Sequence, residues 1–298
     1  MSAPLMHEDE VAVDAALLTR LLAAQFPQWA GLAARRLPSA GTDNALFRLG
    51  SDLVVRLPRI HWAVDQVEKE HVWLPRLAPH LPLALPTPLA QGRPGMGYPW
   101  PWSIYRWLPG RDAGQAPLSD PLRGALQLAD FIHALQRIDP TGGPDAAAFG
   151  LRGVPLQTRD AATRQAISEL AGKIDTAAAT AAWETALDAP PWDGPPAWFH
   201  GDLLPGNVLV ENGRLSAVID FGGLGVGDPA PDLMIAWHIF SGRSRETFRR
   251  ALGVDDATWA RGRGHALSQA LIFAPYYWHS NPVGVRAALH AIDQVLAS

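Results

Sequence analysis

Residues 198–210 read Trp-Phe-His-Gly-Asp-Leu-Leu-Pro-Gly-Asn-Val-Leu-Val, and residues 218–222 read Val-Ile-Asp-Phe-Gly. Three polar side chains stand at fixed intervals in these stretches. Asn207 follows Asp202 after four intervening residues, and Asp220 comes thirteen residues after Asn207. Each of the three lies beside an apolar run of the kind that forms short buried strands. The pattern therefore predicts a small set of polar groups gathered at the ends of buried strands.

This spacing is typical of the catalytic loop of phosphotransferases. In such a loop the first aspartate accepts the proton of a substrate hydroxyl, while the asparagine and the later aspartate hold magnesium. Phosphoryl transfer needs positioning and charge neutralisation, and Mg²⁺ prefers oxygen ligands such as carboxylates and amides. We therefore predict that Asp202 is the catalytic base, that Asn207 and Asp220 bind Mg²⁺, and that ATP or GTP is the co-substrate.

A β-hairpin is predicted to bring the two metal ligands together. Residues 207–210 have the composition of a short buried strand, residues 211–214 (Glu-Asn-Gly-Arg) that of a tight turn, and residues 215–219 that of the returning strand. Such a hairpin places Asn207 and Asp220 side by side at its open end.

On these motifs the chain resembles the aminoglycoside phosphotransferase family. The loop motif His-Gly-Asp-x-x-x-x-Asn with a following Ile-Asp-Phe or Ile-Asp-Trp is matched at His200, Gly201, Asp202, Asn207, Ile219 and Asp220. Further segments in the family's order occur at residues 55–58, 67–70, 102–108 and 227–232. The resemblance thus extends over most of the chain.

The resemblance implies an α+β, protein-kinase-like fold of two lobes. Residues 1–107 would form a small nucleotide-binding N-lobe with an antiparallel sheet. Residues 108–298 would form a larger, mainly helical C-lobe with the catalytic loop, the magnesium site and substrate-binding helices. By the same resemblance, His200 and Asp232 are expected to brace the catalytic loop and to take no part in proton transfer.

Arg56 departs from the family's pattern, in which the third strand presents a lysine to the α- and β-phosphates and to a helix glutamate. A guanidinium can also bridge a phosphate and a carboxylate, although it is larger and planar. We expect Glu70 to be its partner. Glu68 is the rival, because positions two apart on a helix point to different sides and only one can face the strand.

The resemblance implies two further nucleotide contacts in the N-lobe. The polar turn around Gly41 would cover the phosphates, although the same residues are equally typical of an ordinary hairpin connection. The segment 98–110 is predicted to be a strand that leads into a hinge. Backbone groups of Arg106, Trp107 and Leu108 would meet the adenine there, although a strand rich in tryptophan is also typical of a core.

Apolar periodicity predicts helices elsewhere. They are expected at residues 9–25, 63–77, 118–138 and 156–183, with a largely helical and aromatic final third. Pro75 should distort the second of these helices or begin to end it, and the fourth should be interrupted near Gly172.

Several residues of the C-lobe leave alternatives open. Asp228 and Asp232 suit either loop support or helix N-capping. The aromatic residues 276–278 suit either a ligand or the core. The helical insertion also carries four acids that suit either a polycation or a solvated helix face. These acids are Asp160, Glu169, Asp175 and Glu184.

Composition excludes several classes of protein. The chain has 298 residues, of which 48% are hydrophobic and 18% charged, with a formal net charge of −4. Because its basic residues are scattered, nucleic-acid binding is not expected. There is no cysteine, no apolar run of about 20 residues and no signal-like amino terminus. We expect a cytoplasmic monomer or homodimer with no membrane partner.

The expected activity is Mg²⁺-dependent transfer of the γ-phosphate of ATP or GTP to a hydroxyl of a small molecule. By resemblance, the acceptor is an aminoglycoside-type antibiotic, which would make the chain a resistance enzyme. The alternatives are a hydroxylated metabolite resembling choline, homoserine or a sugar, and a non-catalytic nucleotide sensor. A protein kinase is disfavoured, because His-Gly-Asp lacks the arginine that pairs with a phosphorylated activation segment.

Overall fold

A computed structural model describes residues 10–37 and 43–298. The chain divides into two compact units. Unit 1 runs to Pro79 and resumes over Ala84–Pro109, and unit 2 comprises His80–Leu83 and Gly110–Ser298. The predicted turn at Gly41 lies outside the described residues. Among the described helices, none is both long and apolar enough to span a membrane.

Unit 1 combines an antiparallel sheet with two helices. Its elements are α1 (Ala15–Gln25), β1 (Ala34–Arg36), β2 (Asn44–Leu49), β3 (Leu53–Pro58), α2 (Val64–Leu77), β4 (Pro88–Gly92) and β5 (Trp102–Arg106). Within the described residues the sheet has five strands in the order β1-β2-β3-β5-β4. Alternate residues of β2 and β3 are buried, as expected for strands with one face on a core. The sheet and α1 share that core.

The start of α1 differs from its predicted position, whereas α2 covers its predicted range to within one residue. α1 begins at Ala15, because the Asp14 carboxylate accepts the Leu17 N–H at 2.7 Å and so caps the first turn. α2 continues past Pro75 to Leu77. Inside a helix a proline removes one backbone hydrogen bond and its ring crowds the carbonyl four residues earlier, and Pro75 stands in the last turn. The helix ends two residues after Pro75, in agreement with the expectation that this proline begins to end it.

Unit 2 is mainly helical and carries two small sheets. Its strands are β6 (Arg111–Asp112), β7 (Ala197–Phe199), β8 (Val208–Glu211), β9 (Arg214–Val218) and β10 (Gly225–Gly227). Its helices are α3 (Pro121–Gln136), α4 (Asp160–Glu169), α5 (Thr176–Leu187), α6 (Ala236–Ile239), α7 (Gly242–Leu252), α8 (Asp256–Tyr276) and α9 (Pro282–Leu296). Gly172 lies in the gap between α4 and α5, which confirms the predicted interruption.

The predicted hairpin is present as β8 and β9. Glu211 pairs with Arg214 across the turn, and Asn212 and Gly213 both have positive φ (51° and 75°). Two successive residues with positive φ define the type I′ turn, whose twist matches that of the strands it joins. β8 also pairs with β6, while β7 pairs separately with β10. These two sheets position the loop that follows β7.

Candidate active site

Asp202 and Asn207 are joined directly in the loop between β7 and β8. The side-chain nitrogen Nδ2 of Asn207 donates to the backbone oxygen of Asp202 at 2.8 Å and to its carboxylate Oδ2 at 2.9 Å. Only the amide nitrogen can donate to these acceptors, so the orientation of the amide is fixed. Its oxygen Oδ1 therefore remains available as a ligand for a cation.

Arg152 is a member of this site that the sequence analysis missed. Its Nη1 donates to the Gly201 carbonyl at 2.6 Å and to Asp202 Oδ1 at 2.5 Å. The two side chains are 28% and 30% exposed, so the ion pair is reachable from solvent. Asp202 therefore has Asn207 on one carboxylate oxygen and an arginine on the other.

Asp232 anchors the start of the same loop. Its two carboxylate oxygens accept the backbone N–H groups of His200 and Gly201, at 2.7 and 2.8 Å. Asp232 is fully buried, and this burial raises the pKa of its carboxyl group, against the opposing effect of His200 and the two N–H groups. Gly201 has φ +80°, and a Cβ there would stand 2.4 Å from the Gly223 oxygen. A larger residue is therefore excluded at position 201.

His200 is fully buried and links the loop to the end of β9. The Asp202 N–H donates to His200 Nδ1 at 3.1 Å, and Nε2 lies 3.0 Å from the Ile219 carbonyl. A carbonyl can only accept, so Nε2 must carry the proton and the ring is in one defined neutral tautomer. The ring also packs on Phe221 at 4.5 Å between centroids. These bonds engage both nitrogens of His200 in holding the loop.

Asp220 follows the open end of the hairpin. The Ile219 N–H donates to the Asn207 carbonyl at 2.9 Å, which brings the residue before Asp220 against Asn207. Asp220 has left-handed backbone dihedrals, φ 62° and ψ 69°. A non-glycine residue in this region carries about 1–3 kcal/mol of strain, which structures retain mainly at functional positions. The local backbone thus sets the position of this carboxylate.

The donor set at the hairpin end suits magnesium. It offers the Asn207 amide oxygen and the Asp220 carboxylate, both of the oxygen type that Mg²⁺ takes. Among the described residues there is no cluster of three or more histidine, aspartate or glutamate side chains that would form a closed metal cage. Mg²⁺ commonly uses one or two protein ligands and completes its shell with water and substrate phosphates.

In unit 1, Arg56 on β3 forms an ion pair with Glu70 on α2. The distance from Nη1 to Oε1 is 2.7 Å, and the side chains are 11% and 1% exposed. Arg56 Nη2 also donates to Gln66 at 2.9 Å. The Tyr105 hydroxyl bonds the other oxygen of Glu70. Glu68, the rival partner, is exposed.

Asn44 adds to the surroundings of Arg56. In the amide orientation that satisfies its hydrogen bonds, the Asn44 oxygen accepts from Arg56 Nη2 at 2.9 Å and from Nε at 3.0 Å. Three side chains, two on α2 and one on β2, therefore hold one guanidinium. Arg56 is therefore held in one position, unlike a flexible arginine at the protein surface.

The segment expected to meet adenine follows β5. The Arg106 N–H donates to the Thr87 carbonyl at 3.0 Å, and the Trp107 N–H donates to the Asp52 carbonyl at 2.7 Å. The Leu108 N–H makes no backbone hydrogen bond to any residue that the structure describes. Of the three predicted residues, Leu108 therefore has the N–H best able to donate to a ligand.

The four acids of the helical insertion all have partners in that insertion. Asp160 accepts from Arg164 and Trp183, Glu184 also accepts from Arg164, and Asp175 caps α5. The fourth acid, Glu169, accepts from Gln165. These contacts fit the solvated-face interpretation of the acids.

The structure also shows the contacts of Asp228 and of the aromatic residues 276–278, for which the sequence left two interpretations open. Asp228 accepts the Ala230 N–H at 3.0 Å and forms a buried ion pair with Arg261 at 2.7 Å. Tyr276 is 60% exposed, and its neighbour Tyr277 stacks on Phe273 at 4.5 Å. Asp228 therefore joins loop support to capping, and the aromatic segment lies partly at the surface.

The sequence of this chain matches a family model and is similar to a bacterial protein. The model of the phosphotransferase enzyme family, APH, matches residues 34–265. "Uncharacterized protein YcbJ" of Bacillus subtilis (strain 168) is 27% identical over 236 residues, which is 72% of this chain and 72% of that protein.

Solved structures match nearly the whole chain. The GDP complex of wild-type aminoglycoside 2'-phosphotransferase-IIIa has a TM-score of 0.76 at 20% identity, covering 96% of this chain and 99% of that one. A GDP and kanamycin complex of APH(2")-IIia has a TM-score of 0.74 at 21% identity, covering 94% and 98%. Macrolide 2'-phosphotransferase MphH from Brachybacterium faecium has a TM-score of 0.59 at 26% identity, covering 93% and 97%. The matches confirm the predicted kinase-like α+β fold.

Proposed function

Because the chain belongs to the phosphotransferase enzyme family, we propose that it transfers the γ-phosphate of a nucleoside triphosphate to a hydroxyl group of a small molecule. The observation that carries this proposal is the coupling of Asp202 to Asn207, in which one amide nitrogen bonds the candidate base at 2.8 and 2.9 Å. The family's reaction needs a base and a metal ligand held together in this way.

In this proposal Asp202 orients the acceptor hydroxyl and takes its proton as the phosphoryl group is transferred. Asn207 and Asp220 would hold Mg²⁺, which when bound neutralises charge on the phosphates. Asp232 and His200 keep the loop in shape through the bonds described above. Gly201 leaves no arginine to pair with a phosphorylated segment, which supports a small-molecule acceptor over a protein.

Nucleotide contacts in unit 1 are also part of the proposal. Arg56, held by Glu70, takes the place of the family's lysine at the phosphates, and the backbone of Arg106, Trp107 and Leu108 meets the base. Gly41 is proposed to contact the phosphates. The GDP complexes of the structural neighbours support a nucleotide co-substrate. We also propose a cytoplasmic location, because ATP, GTP and magnesium are present there. The enzyme is proposed to be a monomer or a homodimer.

Two acceptor classes need to be compared. An aminoglycoside-type antibiotic is supported by the structural neighbours, one of which was solved with kanamycin. A hydroxylated metabolite is supported by Arg152, because its ion pair with Asp202 offsets the negative charge that would attract a polycationic acceptor. A nucleotide sensor without catalysis is less well supported, because Asp202, Asn207 and Asp220 are all present.

The test measures phosphate transfer from ATP and from GTP, with magnesium, to aminoglycosides, macrolides and hydroxylated metabolites. Mass spectrometry of the acceptor gives the readout. We expect Asp202→Asn to lower kcat by about 10²–10⁴-fold, and Asp220→Ala to abolish the magnesium-dependent reaction. Asp193→Asn, which changes an exposed aspartate outside the site, is the matched control and should retain wild-type rates.

Three results would contradict the proposal. The first is transfer that persists in Asp202→Asn, and the second is transfer that does not depend on magnesium. The third is nucleotide binding with no phosphorylated acceptor across the whole panel, which would favour a sensor.

A further inference from the structure

Arg152 has donors to spare beside the candidate base. Only its Nη1 is used, for the Gly201 carbonyl and Asp202 Oδ1. Its Nε and Nη2 make no hydrogen bond within residues 10–37 and 43–298. The next residue, Gly153, accepts the Asp228 N–H at 3.1 Å, which fixes the backbone of this loop to the segment after β10. Arg152 therefore presents N–H groups next to the position where the acceptor hydroxyl would lie.

Arg159 is a second arginine in the same region. It ends the short 3-10 turn Leu156–Arg159, and its Nε donates to the hydroxyl of Ser268 on α8 at 2.9 Å. Thr163 shares that hydroxyl at 2.8 Å. The two Nη groups of Arg159 have no hydrogen-bond partner in the described part of the chain. Burial and, to a smaller extent, the charge of Arg152 together lower the pKa of Arg159 to about 10.

A buried histidine lies on the same face of α8. His265 precedes Ser268 by three residues and follows Arg261 by four, so the three side chains share one side of the helix. His265 is 1% exposed, and neither ring nitrogen has a hydrogen-bond partner among the described residues. Burial, followed by the charges of Arg159 and Arg152, lowers its pKa well below the usual value.

The uncompensated charge of this region is positive. Arg261 is balanced by Asp228, with which it forms a buried ion pair. Asp202 balances Arg152, which leaves the charge of Arg159 with only a neutral hydroxyl as its partner. Within the described residues both ring nitrogens of His265 are buried and unpartnered, and such groups often bond a ligand or water. We call Arg152, Arg159, His265 and Ser268 the arginine–histidine cluster.

We propose that the arginine–histidine cluster binds an anionic group of the acceptor, a carboxylate or a phosphate, while Asp202 receives the acceptor's hydroxyl. This inference rests on the proposed function for the role of Asp202. Guanidinium groups match the planar, two-oxygen edge of such anions, and neutral His265 can add one donor. The acceptor is thus a hydroxy acid or a phosphorylated hydroxyl compound and not a polycation.

The test separates anion binding from phosphate transfer. Calorimetry measures the binding of inorganic phosphate and, in a second arm, of malonate to the full-length protein. An ATP analogue that cannot transfer its phosphate is kept at saturation, so that anions do not enter the nucleotide site. We expect binding to wild type and a loss of about ten- to a hundredfold in Arg159→Gln. Arg159→Lys should recover part of it.

Arg164→Gln is the matched control, because Arg164 lies on α4 with exposed partners outside the cluster. It should bind both anions as wild type does. Stronger binding of malonate than of phosphate would identify an acceptor that carries a carboxylate. Stronger binding of phosphate would identify a phosphorylated acceptor. Equal binding by wild type and Arg159→Gln, or no binding to either, would overturn the inference.

Kinetics supply the second readout. With acceptors that carry an anion, Arg159→Gln should raise KM about ten- to a hundredfold and leave kcat within about twofold. Phosphorylation of aminoglycosides at unchanged KM in Arg159→Gln would overturn the inference and leave the proposed function intact. Nucleotide binding measured separately on the same preparations reports on the proposed function, whatever the anion experiment shows.

Discussion

Arg56 illustrates how a single residue can depart from a family pattern and still be firmly placed. The family's lysine would offer three donors on a flexible stem, whereas the guanidinium offers five in a plane. Gln66 and Asn44 occupy donors that a lysine could not supply in the same geometry. The side chains around position 56 therefore match the hydrogen-bonding geometry of an arginine. They lie on β2 and α2.

Removal of this side chain is expected to destabilise the protein. Arg56→Ala should lower the free energy of unfolding by about 3–5 kcal/mol, because Glu70 would remain buried without its cation. Arg56→Lys should cost about 1–2 kcal/mol, since the ammonium still reaches Glu70 but loses the other bonds. Urea unfolding followed by circular dichroism and tryptophan fluorescence gives both values.

Glu68→Ala is the control for this comparison, because Glu68 is exposed on the same helix. It should change the free energy of unfolding by less than about 0.5 kcal/mol. If Arg56→Ala were equally mild, the ion pair would not contribute to stability and the reasoning from its burial would be wrong.

At the scale of elements, the β8–β9 hairpin positions both candidate metal ligands and depends on its turn. Gly213 has φ +75°, and a Cβ there would lie 2.8 Å from the side chain of Ser119. Gly213→Ala should therefore lower the free energy of unfolding by about 1–3 kcal/mol, through left-handed strain and overpacking. Chemical denaturation measures the change.

Gly206→Ala provides the control for stability. Nothing lies within 4 Å of a Cβ at Gly206, and its φ is outside the left-handed range. Its free energy of unfolding should stay within about 0.5 kcal/mol of wild type. If both variants lowered the free energy of unfolding equally, the turn geometry at Gly213 would not be the cause of the destabilisation.

The same hairpin shows what sequence can predict about elements. Its strands and turn were predictable because apolar strands flank an Asn-Gly pair, and this pattern depends only on neighbouring residues. The start of α1 was harder to predict. That start depends on which of several acids caps the helix, whereas the predicted end of α2 at Leu77 agrees with the structure.

Arg152 could not be predicted from the sequence for a related reason. It lies in a loop without periodicity, and it reaches Asp202 because the adjacent Gly153 bonds Asp228 beyond β10. The contact thus depends on a pairing between segments about 50 residues or more apart, which no local pattern encodes. By contrast, Asp202, Asn207 and Asp220 stand in one short segment, where spacing alone implies their chemistry.

At the scale of the whole molecule, unit 2 buries ionisable groups that are paired or held neutral. Asp228 is paired with Arg261, and Asp232 accepts two backbone N–H groups. His238 and His265 have buried ring nitrogens without a hydrogen-bond partner in the part of the chain that the structure describes. Charging either histidine in the folded protein is unfavourable, so stability must depend on pH.

His238 gives the pH dependence a defined range. Burial, with a further effect of His290, lowers its pKa from 6.5 to about 4. Between these values the unfolded chain takes up a proton that the folded protein does not. The free energy of unfolding should therefore be fully retained above pH 6.5 and should fall as the pH drops toward 4. The slope for this one group is about 1.4 kcal/mol per pH unit at its steepest.

His238→Gln removes this titration while retaining a polar side chain, and urea unfolding from pH 7 to pH 4 measures the result. The difference in free energy of unfolding between variant and wild type should change by roughly 3 kcal/mol from pH 7 to pH 4. At low pH this change favours the variant. His80→Gln changes an exposed histidine and should run parallel to wild type. If His238→Gln also ran parallel, His238 would take up its proton equally in the folded and unfolded states. Its burial would then impose no penalty on the charged form.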